Sequence, residues 1–253
     1  MRIIACKDYQ EMSQTAAKEI ISLVKKRTPC TLGLATGSTP EGVYRELVHD
    51  FQQGQTSYSH VTSVNLDEYV GLLQSDRNSY HYYMQSKLFQ YIDLPRNQQL
   101  IPDGTAKDLE AECKNYEEKI VKAGGVDLQI LGIGHNGHIG FNEPGTSFLS
   151  RTHVVELAEK TRKANARFFS SMDDVPAKAI TMGIATIMES KRILLLVSGQ
   201  SKADTIARLL DGTVDESFPA SILNLHDDVT VIADEEALSA INQNEIRKSY
   251  SIG

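Results

Sequence analysis

The sequence predicts a three-layer α/β fold, a doubly wound and mostly parallel sheet with helices on both faces. Short apolar runs such as Ile193-Leu-Leu-Leu-Val197 lack polar alternation, which suits strands buried on both sides. Between these runs lie longer stretches whose apolar residues recur at helical spacing. Strands alternating with helices in this way are the signature of a parallel sheet wound by crossover helices.

The elements follow in order. A first strand begins within a few residues of Met1, and Asp8 to Lys26 is a helix with Tyr9, Met12, Ala16, Ile20 and Leu23 on one stripe. Thr31 to Ala35 is a short strand, and Pro40 to Gln52 is a helix with Val43, Leu47 and Phe51 on one side. Val61 to Leu66 is the next strand. Asn78 to Tyr91 and Lys107 to Ala123 read as helices, the second stopped by Gly124-Gly125. Val126 to Leu131 and Thr152 to Leu157 are strands, with a helix around Lys160–Phe169. Ile193 to Val197 is a fully buried strand, Ser201 to Leu210 a helix stopped by Gly212, and Val229 to Ala233 the last clear strand, followed by a helix beginning near Glu235. No repeat, low-complexity tract or composition break divides residues 1–253, which are read as one Rossmann-like domain.

Composition narrows the function classes. A hydrophobic content of 41% with 23% charged residues describes an ordinary globular chain. A net charge of −7 and a pI near 5.5 give no support to nucleic-acid binding. Cys6, Cys30 and Cys113 are odd in number and widely spaced, so they frame neither a disulfide scaffold nor a zinc site. The N-terminus is charged too early for a signal peptide and no apolar run reaches membrane-spanning length. A cytoplasmic protein without membrane or nucleic-acid partners is expected.

The segment Gly132-Ile-Gly-His-Asn-Gly-His-Ile-Gly-Phe-Asn-Glu-Pro144 follows a buried strand and carries Asn136, His138 and Glu143. In open α/β sheets, ligands bind beyond such strand ends. The segment contains the dinucleotide pattern Gly132-x-Gly134-x-x-Gly137, with Glu156 at about the distance of a ribose contact. That pattern requires a helix to start at the loop, and Gly140, Asn142, Pro144 and Gly145 forbid one, so a nicotinamide cofactor is rejected. His135 and His138 have no third ligand at sensible spacing, so no metal is expected and a metal-free acid/base site is the better account. Glu143 is placed to orient His138 and raise its basicity.

Thr36-Gly37-Ser38-Thr39-Pro40-Glu41 stands between a strand and a helix, where free N–H groups favour an anion. Ser38 and Glu41 have capping-box spacing, so a plain helix start is the alternative; without a Gly-Lys-Ser/Thr ending, an ATP site is not. Asn65-Leu-Asp-Glu-Tyr69 places two acids directly after a strand, and one of them is expected to face the same crevice as a general base. Arg167 and Lys202 are the candidate cations. Lys202 opens a helix, where a cation is unfavourable without an anion to bind.

Ala35-Thr-Gly-Ser-Thr-Pro40, Asn65-Leu-Asp-Glu-Tyr-Val-Gly-Leu72, the Gly132–Pro144 segment, Arg151-Thr152, Asn165-Ala-Arg-Phe-Phe169, Ala179-Ile-Thr-Met-Gly183 and Ser198-Gly-Gln-Ser-Lys202 together resemble the glucosamine-6-phosphate deaminases, in order along nearly the whole chain. The resemblance implies conversion of glucosamine 6-phosphate and water to fructose 6-phosphate and ammonium with no metal or organic cofactor. It gives Asp67 the proton transfer at carbon 2 and His138 the opening of the sugar ring, with Glu143 and Asn136 as orienters. Thr36, Gly37, Ser38, Thr39, Arg167 and Lys202 would hold the phosphate. Asn136 departs from members with a carboxylate there, and an amide is limited to orientation.

Two rivals share parts of this pattern. A 6-phosphogluconolactonase has a similar glycine–histidine loop but needs no base at carbon 2. A sugar-phosphate-sensing regulator would carry a DNA-binding module, for which a first strand this close to Met1 leaves no room. His153 and Val155 stand where the long, hexameric and allosteric members place an arginine and a lysine, and the chain stops soon after its last helix. A monomer or small homo-oligomer without that activation is therefore expected.

Overall fold

The computed structural model describes residues 1–157, 162, 166, 169, 171, 172, 174–241 and 251–252. Along the chain its strands are β1 (Arg2–Cys6), β2 (Cys30–Leu34), β3 (Val61–Asn65), β4 (Asp67–Tyr69), β5 (Gln99–Leu100), β6 (Leu128–Leu131), β7 (His153–Glu156), β8 (Lys178–Thr181), β9 (Ile193–Val197), β10 (Val229–Asp234) and β11 (Ser251–Ile252). The described α-helices are α1 (Tyr9–Lys26), α2 (Glu41–Gln52), α3 (Tyr80–Lys87), α4 (Leu109–Lys122), α5 (Ile184–Met188) and α6 (Ala203–Leu210).

Eight strands form one parallel sheet in the order β11-β1-β10-β9-β6-β2-β3-β5. Every residue of β2, β6, β9 and β10 is buried, as the unbroken apolar runs require of strands covered on both faces. Asp8, Ser79 and Asp108 cap α1, α3 and α4 by accepting from N–H groups three residues on. The chain winds outward from β2 through β3 to β5, then returns to β6 on the opposite flank of β2 and continues through β9 to β10. Winding therefore reverses between β2 and β6. The crevice beyond the carboxyl ends of those two strands is where such sheets bind ligands.

The sequence reading differs from this fold in several places. The Thr152–Leu157 strand does not join the main sheet: as β7 it belongs to a second, antiparallel sheet of order β4-β8-β7. β4, β5, β8 and β11 are too short or too mixed in polarity to stand out as strands. The Asn78–Tyr91 segment is α3 followed by a 3-10 turn at Phe89–Tyr91, and the stretch after Glu235 forms turns, not a helix, as far as it is described. Most of the predicted Lys160–Phe169 helix lies outside the described residues. None of the described helices is long and apolar enough to cross a membrane.

The second sheet is fastened to the main body by Glu117 on α4. Its Oε1 accepts from the Thr152 N–H at 2.9 Å and the Thr186 hydroxyl at 2.6 Å, joining the start of β7 to α5. We predict that Glu117→Ala destabilises the protein by about 1–3 kcal/mol, the cost of stranding such donors. A melting curve tests this: each kcal/mol corresponds to roughly 2–4 °C in Tm, and an unchanged Tm would contradict the role.

Candidate active site

The loop after β2 leaves backbone N–H groups open at the start of α2. No side chain caps α2: the Ser38–Glu41 capping box is not formed, and Glu41 instead pairs with Lys87 at 3.1 Å. Phenol groups hold the loop from its carbonyl side. Tyr83 donates to the Gly37 carbonyl at 2.6 Å, Tyr9 donates to the Ser38 carbonyl at 3.0 Å, and the Tyr80 hydroxyl reaches Thr36. With the carbonyls so engaged, the N–H groups of Gly37, Ser38 and Thr39 donate to no described group and stand at a helix N-terminus.

One strand over, β3 runs through Leu66 into β4 and delivers two buried acids with opposite surroundings. Asp67 sits opposite Thr181 on β8. Its Oδ2 lies near the face of Gly140, where a Cβ atom would come within 3.8 Å of it and 2.9 Å of the Thr181 hydroxyl. Burial, with a smaller contribution from the Glu68 charge, pushes the Asp67 carboxyl up to about 8. Glu68 turns the other way and accepts from the backbone at the start of α3.

The loop after β6 carries the imidazole. His138 Nδ1 bonds to Asn136 Oδ1 at 2.7 Å, and Asn136 Nδ2 donates to Glu143 Oε2 at 2.6 Å. Glu143 is 3.8 Å from His138 Nδ1, so the orientation of the ring passes through the amide. The imidazole lies over Gly134, where a Cβ would come within 2.1 Å of its Cε1 atom; only glycine leaves room for the ring. The expected rise in basicity is not found. Desolvation outweighs the nearby carboxylate, and with Lys202 and His135 also opposing charge, the His138 pKa falls below the ordinary histidine value. Strand β8 and its extension clamp the end of the loop: Phe141 N–H donates to the Thr181 hydroxyl, and Asn142 Nδ2 donates to the Met182 carbonyl at 2.8 Å.

Lys202 follows β9 and precedes α6. Asp234 at the end of β10 accepts from the Ser198 hydroxyl and the Gly199 N–H, which fixes the approach to Lys202. The Lys202 ammonium lies 3.4 Å from His135 Nδ1, and desolvation lowers its pKa. The site is thus assembled from the carboxyl ends of β2, β3, β6 and β9, adjacent strands around the winding reversal. Arg167 lies outside the described residues. Sequence reasoning missed Tyr80, Tyr83 and Phe141. Tyr80 stacks on Phe141 with centroids 6.2 Å apart and links the glycine loop to the loop after β2. The tyrosine density of Ser79-Tyr-His-Tyr-Tyr83 was the available signal.

This geometry defines a doubly wound α/β protein with titratable side chains in the switch-point crevice and open backbone N–H groups beside them. A family model described as glucosamine-6-phosphate isomerases/6-phosphogluconolactonase matches residues 7–232. Glucosamine-6-phosphate deaminase 1 of Bacillus subtilis is 56% identical over 94% of this chain and 99% of its own length. The glucosamine-6-phosphate deaminase of a Geobacillus species is 57% identical over 99% of this chain and 100% of its own. A solved monomeric glucosamine-6-phosphate deaminase superposes with a TM-score of 0.93 at 56% identity, covering 95% of this chain and 100% of that one. The 6-phosphogluconolactonase of Trypanosoma brucei, at 19% identity and a TM-score of 0.76, shares the fold. The chain belongs to the glucosamine-6-phosphate isomerase/6-phosphogluconolactonase family, on its deaminase branch.

The buried Asp67 makes a signed prediction. Its folded pKa of about 8 lies above the ordinary aspartate value of 3.8, so the folded state holds a proton that the unfolded state releases between those values. Stability contributed by the neutral form is present below the lower value and is lost as pH rises through about 8. Asp67→Asn keeps the shape and removes the ionisation. Its Tm should therefore exceed that of the wild type at alkaline pH and approach it in acid, and a Tm difference independent of pH would refute the assignment.

Proposed function

We propose that this chain isomerises and deaminates glucosamine 6-phosphate to fructose 6-phosphate and ammonium, with Asp67 and His138 dividing the proton transfers. The observation that carries the reading is the buried Asp67 carboxyl, raised to about 8 and set against the glycine loop. A general base works best when its pKa lies near the operating pH. Hydrolysis of a lactone needs no base beside carbon 2, so this group favours the deaminase over the lactonase.

The 6-phosphate enters the cradle of Thr36, Gly37, Ser38 and Thr39, with Lys202 as the described cation and Arg167 assigned by its place in the sequence. His138 takes the proton of the anomeric hydroxyl and passes one to the ring oxygen, opening the sugar. Asn136 and Glu143 hold the imidazole in place. Asp67 then removes the proton on carbon 2 and returns it to carbon 1, while oxygen 1 gains a proton and the amino nitrogen gives one up. The resulting imine at carbon 2 adds water, the carbon–nitrogen bond breaks, and ammonia leaves and is protonated. Each positioned proton transfer is worth about 10²–10⁴ in rate. The setting is amino-sugar catabolism in the cytoplasm.

We also read the chain as a monomer or small oligomer without activation by an acetylated amino-sugar phosphate. His153 Nδ1 is engaged with the Arg151 carbonyl at 2.7 Å, Val155 packs against the apolar cluster of Tyr69, Phe141, Leu157 and Ala179, and Arg151 pairs with Glu189. None of these is a free cation awaiting a phosphate, and the solved relative at 56% identity is described as monomeric. Substrate saturation should be hyperbolic and unaffected by N-acetylglucosamine 6-phosphate; sigmoidal kinetics relieved by that compound would overturn this.

A coupled assay for ammonium and fructose 6-phosphate tests the main reading, and absence of both products would end it. Asp67→Asn should abolish turnover and the exchange of the carbon-2 hydrogen with solvent while substrate still binds. Lys202→Ala should raise KM for the phosphorylated sugar, since a lost charge-assisted contact costs about 1.5–3 kcal/mol. Equal losses on glucosamine and on its 6-phosphate would displace Lys202 from the phosphate. The wild-type kcat/KM should climb with pH through about 8 as Asp67 ionises.

A further inference from the structure

Glu68 is 1% exposed, yet no lysine or arginine is paired with it among the described residues. Burying a carboxylate is expensive unless hydrogen bonds replace its hydration. Here four donors do so. Oε1 accepts from Tyr69 N–H at 2.8 Å and Tyr80 N–H at 2.9 Å, while Oε2 accepts from His81 N–H and faces His81 Nδ1, both at 2.9 Å. Three of the four belong to the first turn of α3, where the helix dipole adds to the attraction.

The helix held in this way serves the site on two sides. Tyr80 stacks on Phe141 of the glycine loop and reaches Thr36, and Tyr83 donates to the Gly37 carbonyl. Glu68 is also the neighbour of Asp67 in β4. Tyr44, Tyr69, Tyr80 and Tyr116 face Asp67 from α2, β4, α3 and α4, and burial keeps each of these phenols neutral. Among the described residues, Glu68 is the acidic side chain whose charge adds to the rise at Asp67. His81, bonded to Glu68, also acts electrostatically on Asp103.

We infer that Glu68 is a positioning residue of this site. It pins α3 to β4 so that Tyr80 and Tyr83 close the phosphate cradle beside Asp67, and from the opposite face of β4 it adds a negative charge next in sequence to Asp67. This role rests on the deaminase reading above and deepens it. A carboxylate suits it because both oxygens accept. A carboxamide would turn an NH₂ group toward two of the four donors.

The test compares kcat/KM and KM for ammonium release across the neutral pH range in wild type, Glu68→Gln and Glu68→Asp. Loss of the charge in Glu68→Gln should move the rising limb to lower pH, and the loosened cradle should raise KM roughly tenfold. Glu68→Asp keeps the charge on a shorter arm, so its limb should stay in place while KM rises. A simple structural brace would not move the limb. An unmoved limb in an active Glu68→Gln, or an unchanged KM in both variants, overturns the assignment. If Glu68→Gln does not fold, Glu68→Asp decides whether Glu68 holds the cradle through α3: a raised KM supports that positioning, and an unchanged KM overturns the assignment. Wild-type protein is assayed alongside; failure to release ammonium there would remove the deaminase reading itself, whereas the variant outcomes bear on Glu68 alone.

Discussion

The site depends on the reversal of winding between β2 and β6. Because all eight strands of the main sheet run the same way, their carboxyl ends lie along one edge. The reversal sends the connections from β2 and β6 in opposite directions and leaves a crevice between them. Into it come a helix N-terminus with unspent N–H groups, a glycine loop with an imidazole, and a lysine from the next strand. The small antiparallel sheet closes the remaining side by pairing Asp67 with Thr181 and clamping the glycine loop from β8. Without that second sheet, Asp67 would be a solvated acid at the tip of a strand.

Burial acts on both titrating groups and moves them in opposite directions, past one another. Desolvation disfavours whichever form is charged, so it raises a carboxyl and lowers an imidazole. Asp67 moves up to about 8, and His138 moves below its ordinary value despite the carboxylate nearby. The two groups end on either side of neutrality from starting points on the same side. One crevice thus shifts a carboxyl and an imidazole together, at a cost in stability that the surrounding apolar core offsets.

Much of this was legible in the sequence, for physical reasons. Buried parallel strands leave unbroken apolar runs, so β2, β3, β6, β9 and β10 were read within a residue or two of their bounds. The glycine loop announced itself because no helix accepts that density of glycine and proline. The second sheet did not: β4 and β8 are short and mix polar with apolar residues, because their stability comes from the partners they meet across the fold. Asp67 and Glu68 could not be told apart, since alternation sends neighbours to opposite faces but does not say which face is the site. The capping box failed because spacing permits a bond without requiring it; Glu41 found Lys87 instead.

The amide at Asn136 has a consequence for the hydrogens of the imidazole. Its NH₂ group is committed to Glu143, so only its oxygen faces His138, and an oxygen acceptor calls for a donor at Nδ1. The neutral ring is thereby held as the Nδ1–H tautomer, with the lone pair on Nε2 directed away from the relay. A carboxylate in place of Asn136 could share that hydrogen and release it. An amide cannot, so the couple transmits orientation without transmitting protons, and every proton the ring exchanges must pass through Nε2.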